Sequence, residues 1–226
     1  MRRMPAPEIE SESRSDGSGG DGSTDPNSPD SGGFFVRTSL VFYGVMGCAA
    51  MLWRMALQGE PMLHPTADAA ATAWGPLPAL AAGALFGLLA VGSSELMMRW
   101  SQLAEALADL LGESLAGLGR GDAILLAAAS GLAEEMLFRG AVQPAIGLVA
   151  ASLVFGACHF LPRRELALWS LWAVVMGFAF GLLYEWTGHL AAPIAAHVLI
   201  NGINLPRLAR RFAERGVAGS DDSGGA

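Results

Sequence analysis

The 226-residue chain contains no lysine, only two cysteines and few charged residues of any kind. All 14 of its basic residues are arginine, and charged residues make up 15% of the chain, against roughly 25% in ordinary soluble domains. Two cysteines are too few for the disulfide framework of a small secreted protein. The formal net charge of −7 argues against a nucleic acid as partner, because phosphate repels an acidic surface.

Hydrophobic residues make up 52% of the chain, but they are unevenly distributed. In residues 11–33, serine (7), glycine (6), aspartate (4) and proline (2) account for 19 of 23 positions. Such a segment cannot bury apolar surface, so we predict a disordered acidic tail over residues 1–33 that does not serve as a cleavable signal. We predict a transmembrane domain over residues 34–205 and a cytoplasmic tail over residues 206–226.

Between the tails lie long stretches without a formal charge, at 38–53, 69–94, 140–162, 166–184 and 186–206. A membrane helix needs about 20 mostly apolar residues, and helices satisfy their backbone hydrogen bonds within lipid. The stretches show neither the polar stripes of a soluble bundle nor the alternation of a strand. We therefore predict an all-α, polytopic transmembrane helix bundle with about six spans, at roughly 35–57, 75–98, 121–140, 143–162, 166–186 and 189–205.

The placement of arginine predicts the orientation of these spans. With both termini in the cytoplasm, 12 of the 14 arginines lie in cytoplasmic segments, and only Arg54 and Arg139 lie on the outer side. This asymmetry is the positive-inside bias of membrane proteins. The sequence therefore predicts a multi-pass membrane protein with both termini cytoplasmic.

Two further patterns predict how the helices are arranged. Acidic residues recur every four positions from Glu105 to Glu113, opposite a leucine-rich face, which predicts an amphipathic interfacial helix over residues 99–118. Small residues one helical turn apart allow helix backbones to approach closely. Such pairs occur at Gly83-x-x-x-Gly87 and Gly177-x-x-x-Gly181.

The third predicted span differs from the others because it carries Glu134, Glu135 and Arg139 within six positions. Each charge near the centre of a membrane helix raises the free energy of insertion by about 2.5–3.5 kcal/mol, whereas an apolar residue lowers it by only about 0.3–0.6 kcal/mol. The helix therefore needs polar partners from its neighbours. Ionisable residues in such a position mark a functional site by default.

Helical spacing separates the roles of the two glutamates. Glu135 and Arg139 are four residues apart and can pair on one helix face, whereas Glu134 points about 100° away. A carboxylate without a paired cation can accept a proton, which suits a general base. The alternative is that both glutamates form a structural ion-pair network with Arg139.

Two other apolar spans each contain a histidine with a partner four residues away. Phe155 and His159 lie on one face of the fourth span, and His197 and Asn201 lie on one face of the sixth. A buried polar group needs a hydrogen-bonding partner. We therefore expect these side chains and Glu134 to meet inside the bundle.

These three motifs, in this order on three hydrophobic spans, resemble those of the CAAX prenyl protease and bacteriocin-processing family of intramembrane proteases, also called the ABI or type II CAAX endopeptidase family. The flanking sequences Phe138-Arg139-Gly140 and 181–188 are also similar to the family, and the resemblance covers residues 121–204. The motifs are Glu134-Glu135-x-x-x-Arg139, Phe155-x-x-x-His159 and His197-x-x-x-Asn201.

The resemblance implies proteolysis within the membrane. On the family pattern, Glu134 and His159 activate a water molecule, and His197 and Asn201 stabilise the oxyanion of the tetrahedral intermediate. Glu135 and Arg139 orient the site, with Phe155 as a supporting residue. Peptide hydrolysis needs a base and donors placed where negative charge develops, so the chemistry of the residues agrees with these roles.

The resemblance leaves the participation of a metal open, and members of the family are often described as metalloproteases. The sequence lacks the His-Glu-x-x-His signature. His159, His197 and Glu134 nevertheless make a His2Glu set, the ligand count of an open catalytic zinc site. We prefer a metal-free mechanism, because Glu134 is needed as the base and no further carboxylate is obvious nearby.

The sequence thus predicts an endopeptidase whose partners are the lipid bilayer and a membrane-associated peptide or protein. One alternative is a catalytically silent membrane protein that serves in immunity or as a scaffold. Another is a proton-coupled transporter that uses Glu134 and the two histidines as a relay. No repeated halves with broken helices, which are typical of such transporters, are found in the sequence.

Overall fold

The computed structural model describes residues 29–115, 117–160 and 166–222, and these residues form helices and connecting loops without any strand. The predicted all-α class is therefore confirmed. The helices are α1 (Pro29–Met51), α2 (Pro76–Trp100), α3 (Gln102–Ser114), α4 (Arg120–Glu135), α5 (Gln143–Ile146), α6 (Leu148–Cys158), α7 (Ala167–Thr187) and α8 (Ala191–Asp222). Helices α1 and α4 continue as π-helical segments, Leu52–Leu57 and Met136–Val142.

Three helical segments are long and apolar enough to cross a membrane, namely Gly33–Leu57, Pro76–Trp100 and Ala167–Thr187. The chain is accordingly a membrane protein with a helical bundle. The other predicted spans correspond to α4, α6 and α8. The predicted tail before Pro29 lies outside the described residues, as do Arg163 and Arg164 of the orientation argument, and α8 continues past the predicted end of the sixth span.

The predicted fourth span, 143–162, is wrong as a single continuous helix. The chain forms the short helix α5, breaks at Gly147 and begins α6 at Leu148. Gly147 has φ 85°, a conformation that residues with a Cβ rarely adopt. The break starts a new helix of 11 residues that ends at Cys158, and His159 follows directly.

The predicted close packing at Gly83 and Gly87 joins α2 to α8. A Cβ on Gly83 would collide with the backbone of Ala192, and a Cβ on Gly87 would lie 3.0 Å from the backbone oxygen of Ala196. Ala192 and Ala196 are themselves buried in the main hydrophobic cluster. Because Gly83 and Gly87 have no side chain, the backbones of α2 and α8 can touch, which fixes the position of α8.

The amphipathic helix α3 packs against the distal part of α8. Its buried face includes Leu107 and Gly112, and a Cβ on Gly112 would lie 2.8 Å from the backbone oxygen of Leu208. On the polar side, Arg211 donates to Glu105 over 2.7 Å and to Asp109 over 2.9 Å. The acidic stripe seen in the sequence therefore helps to bind α3 to the basic part of α8.

The contact between α2 and α8 can be tested with two substitutions in the same helix. We expect Gly83→Leu to lower the free energy of unfolding by about 3 kcal/mol, because the new side chain has no space against Ala192. This value is at the upper end of the usual range for overpacked cores. Gly92→Leu is the matched control, since Gly92 is exposed and nothing lies within 4 Å of its Cβ position. Thermal unfolding in detergent would measure both. Equal stability of the two variants would contradict the packing.

Candidate active site

Helices α4, α6 and α8 bring three predicted site residues together. The Nε2 atom of His159 lies 3.6 Å from Oε2 of Glu134, and the Nε2 atom of His197 lies 4.0 Å from the same oxygen. If the predicted spans were straight helices, His159 would lie near the inner end of the fourth span, whereas Glu134 would lie in the outer half of the third. The break at Gly147 shortens α6 and allows His159, just after its last turn, to reach Glu134.

Glu134 lacks the arginine partner that Glu135 has among the described residues. Its side chain is 12% exposed, and Oε2 has no hydrogen-bond partner among the described residues. An orphaned buried carboxylate oxygen is costly unless it has a functional purpose or a small polar ligand to bind. The geometry therefore leaves this oxygen available to interact with a small polar molecule between the two histidines.

Glu135, by contrast, is paired with a cation within the bundle, although its Oε2 atom also has no hydrogen-bond partner among the described residues. It is fully buried, and its Oε1 atom accepts hydrogen bonds from Nη1 of Arg139 over 3.1 Å and from Nδ1 of His197 over 2.8 Å. Arg139 also donates to the backbone oxygen of Gly177 over 2.9 Å and lies 4.5 Å above the ring of Phe155. This network connects α4 to α6, α7 and α8.

The hydrogen bonds of the histidines determine which ring nitrogens face Glu134. The Nδ1 atom of His159 lies 2.8 Å from the backbone oxygen of Phe155, which can only accept, so Nδ1 carries the proton. The Nδ1 atom of His197 likewise donates to Glu135. In their neutral forms, both rings therefore direct the lone pair of Nε2 toward Glu134.

Asn201 lies beside this cluster, and its side chain is held by Ser130. Its Nδ2 atom donates to Oγ of Ser130 over 3.1 Å, which uses one of the two amide hydrogens. Ser130 was not among the residues singled out from the sequence. Helical spacing could have indicated Ser130, because it precedes Glu134 by four residues and so lies on the same face of α4.

Aromatic rings and small residues fix the positions of the two histidines. The ring of His197 stacks on Phe180 at 5.1 Å, and that of His159 tilts against Phe155 at 4.4 Å. A Cβ on Gly131 would collide with Val198, so α4 and α8 approach closely one turn before the two glutamates. The π-helical segment that follows Glu135 is a feature often found at functional sites.

A cavity of about 740 Å³ connects these side chains to one end of the bundle. Glu134, His159, His197 and Asn201 all line it, together with apolar residues from α2, α3 and α7. At its other end lie Arg207 and Arg210 of α8. The site is therefore a recess in the bundle.

The three candidate zinc ligands lie farther apart than those of a compact tetrahedral site. Tetrahedral ligands at 2.0–2.1 Å from zinc lie about 3.3 Å from one another. The distances from Glu134 to His159 and His197 are longer, at 3.6 and 4.0 Å. Among the described residues, no group of three or more histidine, cysteine, aspartate or glutamate side chains is arranged to hold a metal. The description as a metalloprotease is therefore unsupported.

Comparison with known proteins identifies the segment that contains the site. Residues 118–203 match the model of a family described as type II CAAX prenyl endopeptidase Rce1-like. The matched region contains all three motifs and α4 to α7, with the part of α8 that carries His197 and Asn201. The resemblance seen in the motifs is therefore confirmed.

The chain is also similar to a curated protein whose name states no function. Over 73 residues, the chain is 51% identical to the uncharacterized protein YpbD of Bacillus subtilis (strain 168). The aligned region covers 31% of this chain and 37% of that relative. No solved structure gives a significant match. The match to the Rce1-like model therefore covers the site-bearing segment, and α1 to α3 lie outside it.

The buried network around Glu135 can be tested through its cation. We expect Arg139→Leu to lower the free energy of unfolding by about 3–5 kcal/mol, because it leaves the buried Glu135 carboxylate without its charge partner. Arg210→Leu is the control, since its pair with Glu214 is about three-quarters exposed. Thermal unfolding in detergent would measure both. A loss no larger for Arg139→Leu than for the control would contradict the role of the network.

Proposed function

We propose that this protein is an intramembrane endopeptidase that hydrolyses a peptide bond of a membrane-associated peptide or protein. The observation that supports the proposal best is the convergence of an unpaired carboxylate, Glu134, with the Nε2 atoms of His159 and His197 in a recess of the bundle. The match of residues 118–203 to the Rce1-like family model supports a protease in general. The roles of individual residues are our inference from the geometry.

The first step requires a base for water. A water molecule between Glu134 and His159 can donate one hydrogen to the carboxylate and the other to Nε2 of His159, because both are acceptors. Glu134 takes the proton as the water oxygen forms a bond to the scissile carbonyl carbon. The carbonyl π electrons move to the oxygen, which becomes an oxyanion.

The oxyanion requires hydrogen-bond donors that are already in position. Asn201 offers its second amide hydrogen, since the first is held by Ser130 and the side chain is thereby oriented. His197 lies beside Glu134, and its Nε2 atom can donate a hydrogen bond to the oxyanion when the ring is doubly protonated. Such donors act more strongly in a water-poor recess than in bulk water.

Collapse of the tetrahedral intermediate completes the reaction. The carbonyl re-forms as the C–N bond breaks, and the proton held by Glu134 passes to the leaving nitrogen. The products are a new carboxyl terminus and a new amino terminus. No step in this sequence involves a metal.

The shape of the site suggests how a substrate reaches it. The cavity extends from Glu134 to Arg207 and Arg210 between largely apolar walls. The arginine distribution supports a cytoplasmic position for this end of α8 and for both termini. A peptide that is anchored in the membrane and emerges at the cytoplasmic surface is therefore the substrate class that the recess suits.

The general base can be tested by an isosteric substitution. We expect Glu134→Gln to lower kcat by at least about a hundredfold, because an amide cannot accept the proton of water and positioned bases contribute about 10²–10⁴-fold. Cleavage of a library of membrane-anchored peptides by the purified protein in liposomes would measure it. Glu113→Gln, an exposed glutamate on α3, is the control.

The same assay separates the protease from the other candidate functions. A silent immunity or scaffold protein would leave every peptide uncut, with or without Glu134. A proton-coupled transporter would cut none either, but it would acidify the liposome lumen on addition of its solute. Equal cleavage by wild type and Glu134→Gln would contradict the proposed mechanism.

Chelation tests the role of a metal. We expect removal of divalent metals with a strong chelator to leave kcat/KM within about twofold of its initial value, because Glu134 serves as the base in the mechanism above. Loss of cleavage on chelation, with recovery on addition of zinc, would contradict the metal-free mechanism. It would leave the assignment as a peptidase intact.

A further inference from the structure

Helix α1, outside the segment that matches the family, packs directly beside Glu134. Tyr43, Gly47 and Ala50 lie on one face of this helix, at spacings of four and three residues. A Cβ on Gly47 would lie 3.9 Å from Cβ of Ala133, the residue before Glu134. Ala50 is fully buried in a cluster that also includes residues of the π-helical segment. The small residues on this face therefore hold α1 close to α4.

Tyr43 uses this close approach to reach the site. It is half-buried, it lines the same cavity as Glu134, and the Glu134 carboxylate acts electrostatically on its hydroxyl group. Phe42 packs edge-on against the Tyr43 ring at a centroid distance of 5.5 Å. The contact leaves Oε2 of Glu134 without a hydrogen bond, so this oxygen still faces the two histidines.

Tyr43 is an uncharged hydrogen-bond donor among the groups around Glu134. His159 faces Glu134 from α6 and His197 from α8, while Glu135 and Arg139 belong to its own stretch of chain. A second arginine in the position of Tyr43 would neutralise the carboxylate and weaken it as a base. A phenol can donate a hydrogen bond and fix the orientation of the carboxylate without adding a positive charge.

We propose that Tyr43 is a positioning residue that holds the Glu134 carboxylate toward His159 by a hydrogen bond from its hydroxyl group. This inference rests on the proposed function, in which Glu134 is the base. The role of Tyr43 makes α1 part of the functional site, although the family match begins only at residue 118.

The chain provides a matched control, since it contains only two tyrosines. Tyr184 is almost fully buried in α7, and its hydroxyl has no hydrogen-bond partner among the described residues. We expect Tyr43→Phe to lower kcat about tenfold, the effect of losing one hydrogen bond to a charged group, with KM within twofold. Tyr184→Phe should leave both constants within twofold. Thermal unfolding of both variants should match that of the wild type.

A second measurement does not depend on activity. In infrared difference spectra of protein carrying isotope-labelled glutamate, removal of the hydroxyl should shift a carboxylate stretching band that is also lost in Glu134→Gln. Tyr43→Phe should produce this shift, and Tyr184→Phe should not. An unshifted band would overturn the proposal even if no peptide substrate had been found.

The two proposals can fail separately. Cleavage by wild type but not by Glu134→Gln, with an unchanged kcat in Tyr43→Phe, would overturn the positioning role and leave the protease intact. A parallel loss of kcat, substrate affinity and thermal stability in Tyr43→Phe would assign the residue to the fold alone. No cleavage by any variant, with the carboxylate band still shifted, would overturn the protease and leave the Tyr43–Glu134 contact.

Discussion

The site depends on one buried arginine that pairs with only one of two neighbouring carboxylates. Arg139 pairs with Glu135, whose Oε1 atom also accepts a hydrogen bond from His197. That arrangement satisfies the cation within a medium where an isolated charge is costly. Glu134, on the adjacent helix face, has no such cation and retains an unpartnered oxygen among the described residues. The network therefore supports the fold while leaving one carboxylate for chemistry.

Close helix packing converts this local asymmetry into a site. Gly131 lets α8 approach α4, Gly177 lets α6 approach α7, and Gly47 lets α1 approach α4. Without a strong hydrophobic driving force between helices in lipid, such contacts between small residues are a main source of association. They also bring polar side chains from four helices around one recess. Stability and site geometry consequently depend on the same contacts.

The sequence could predict what depends on helical periodicity and could not predict what depends on breaks in it. The pairing of Glu135 with Arg139 follows from a spacing of four residues, as does the shared face of His197 and Asn201. The reach of His159 depends on the positive φ of Gly147, which starts a new helix where a continuous span was expected. The approach of Tyr43 is a tertiary contact between distant segments, and no local spacing indicates it.

The most direct test of the account is the arrangement of Glu134, His159 and His197 in an experimental structure of the protein in lipid nanodiscs, at a resolution that shows ordered solvent. The account predicts that the carboxylate of Glu134 and both Nε2 atoms surround one solvent molecule, each within hydrogen-bonding distance of it. A separation between Glu134 and either ring of more than about 6 Å, twice the length of a hydrogen bond, would contradict it, because no single water could then contact all three.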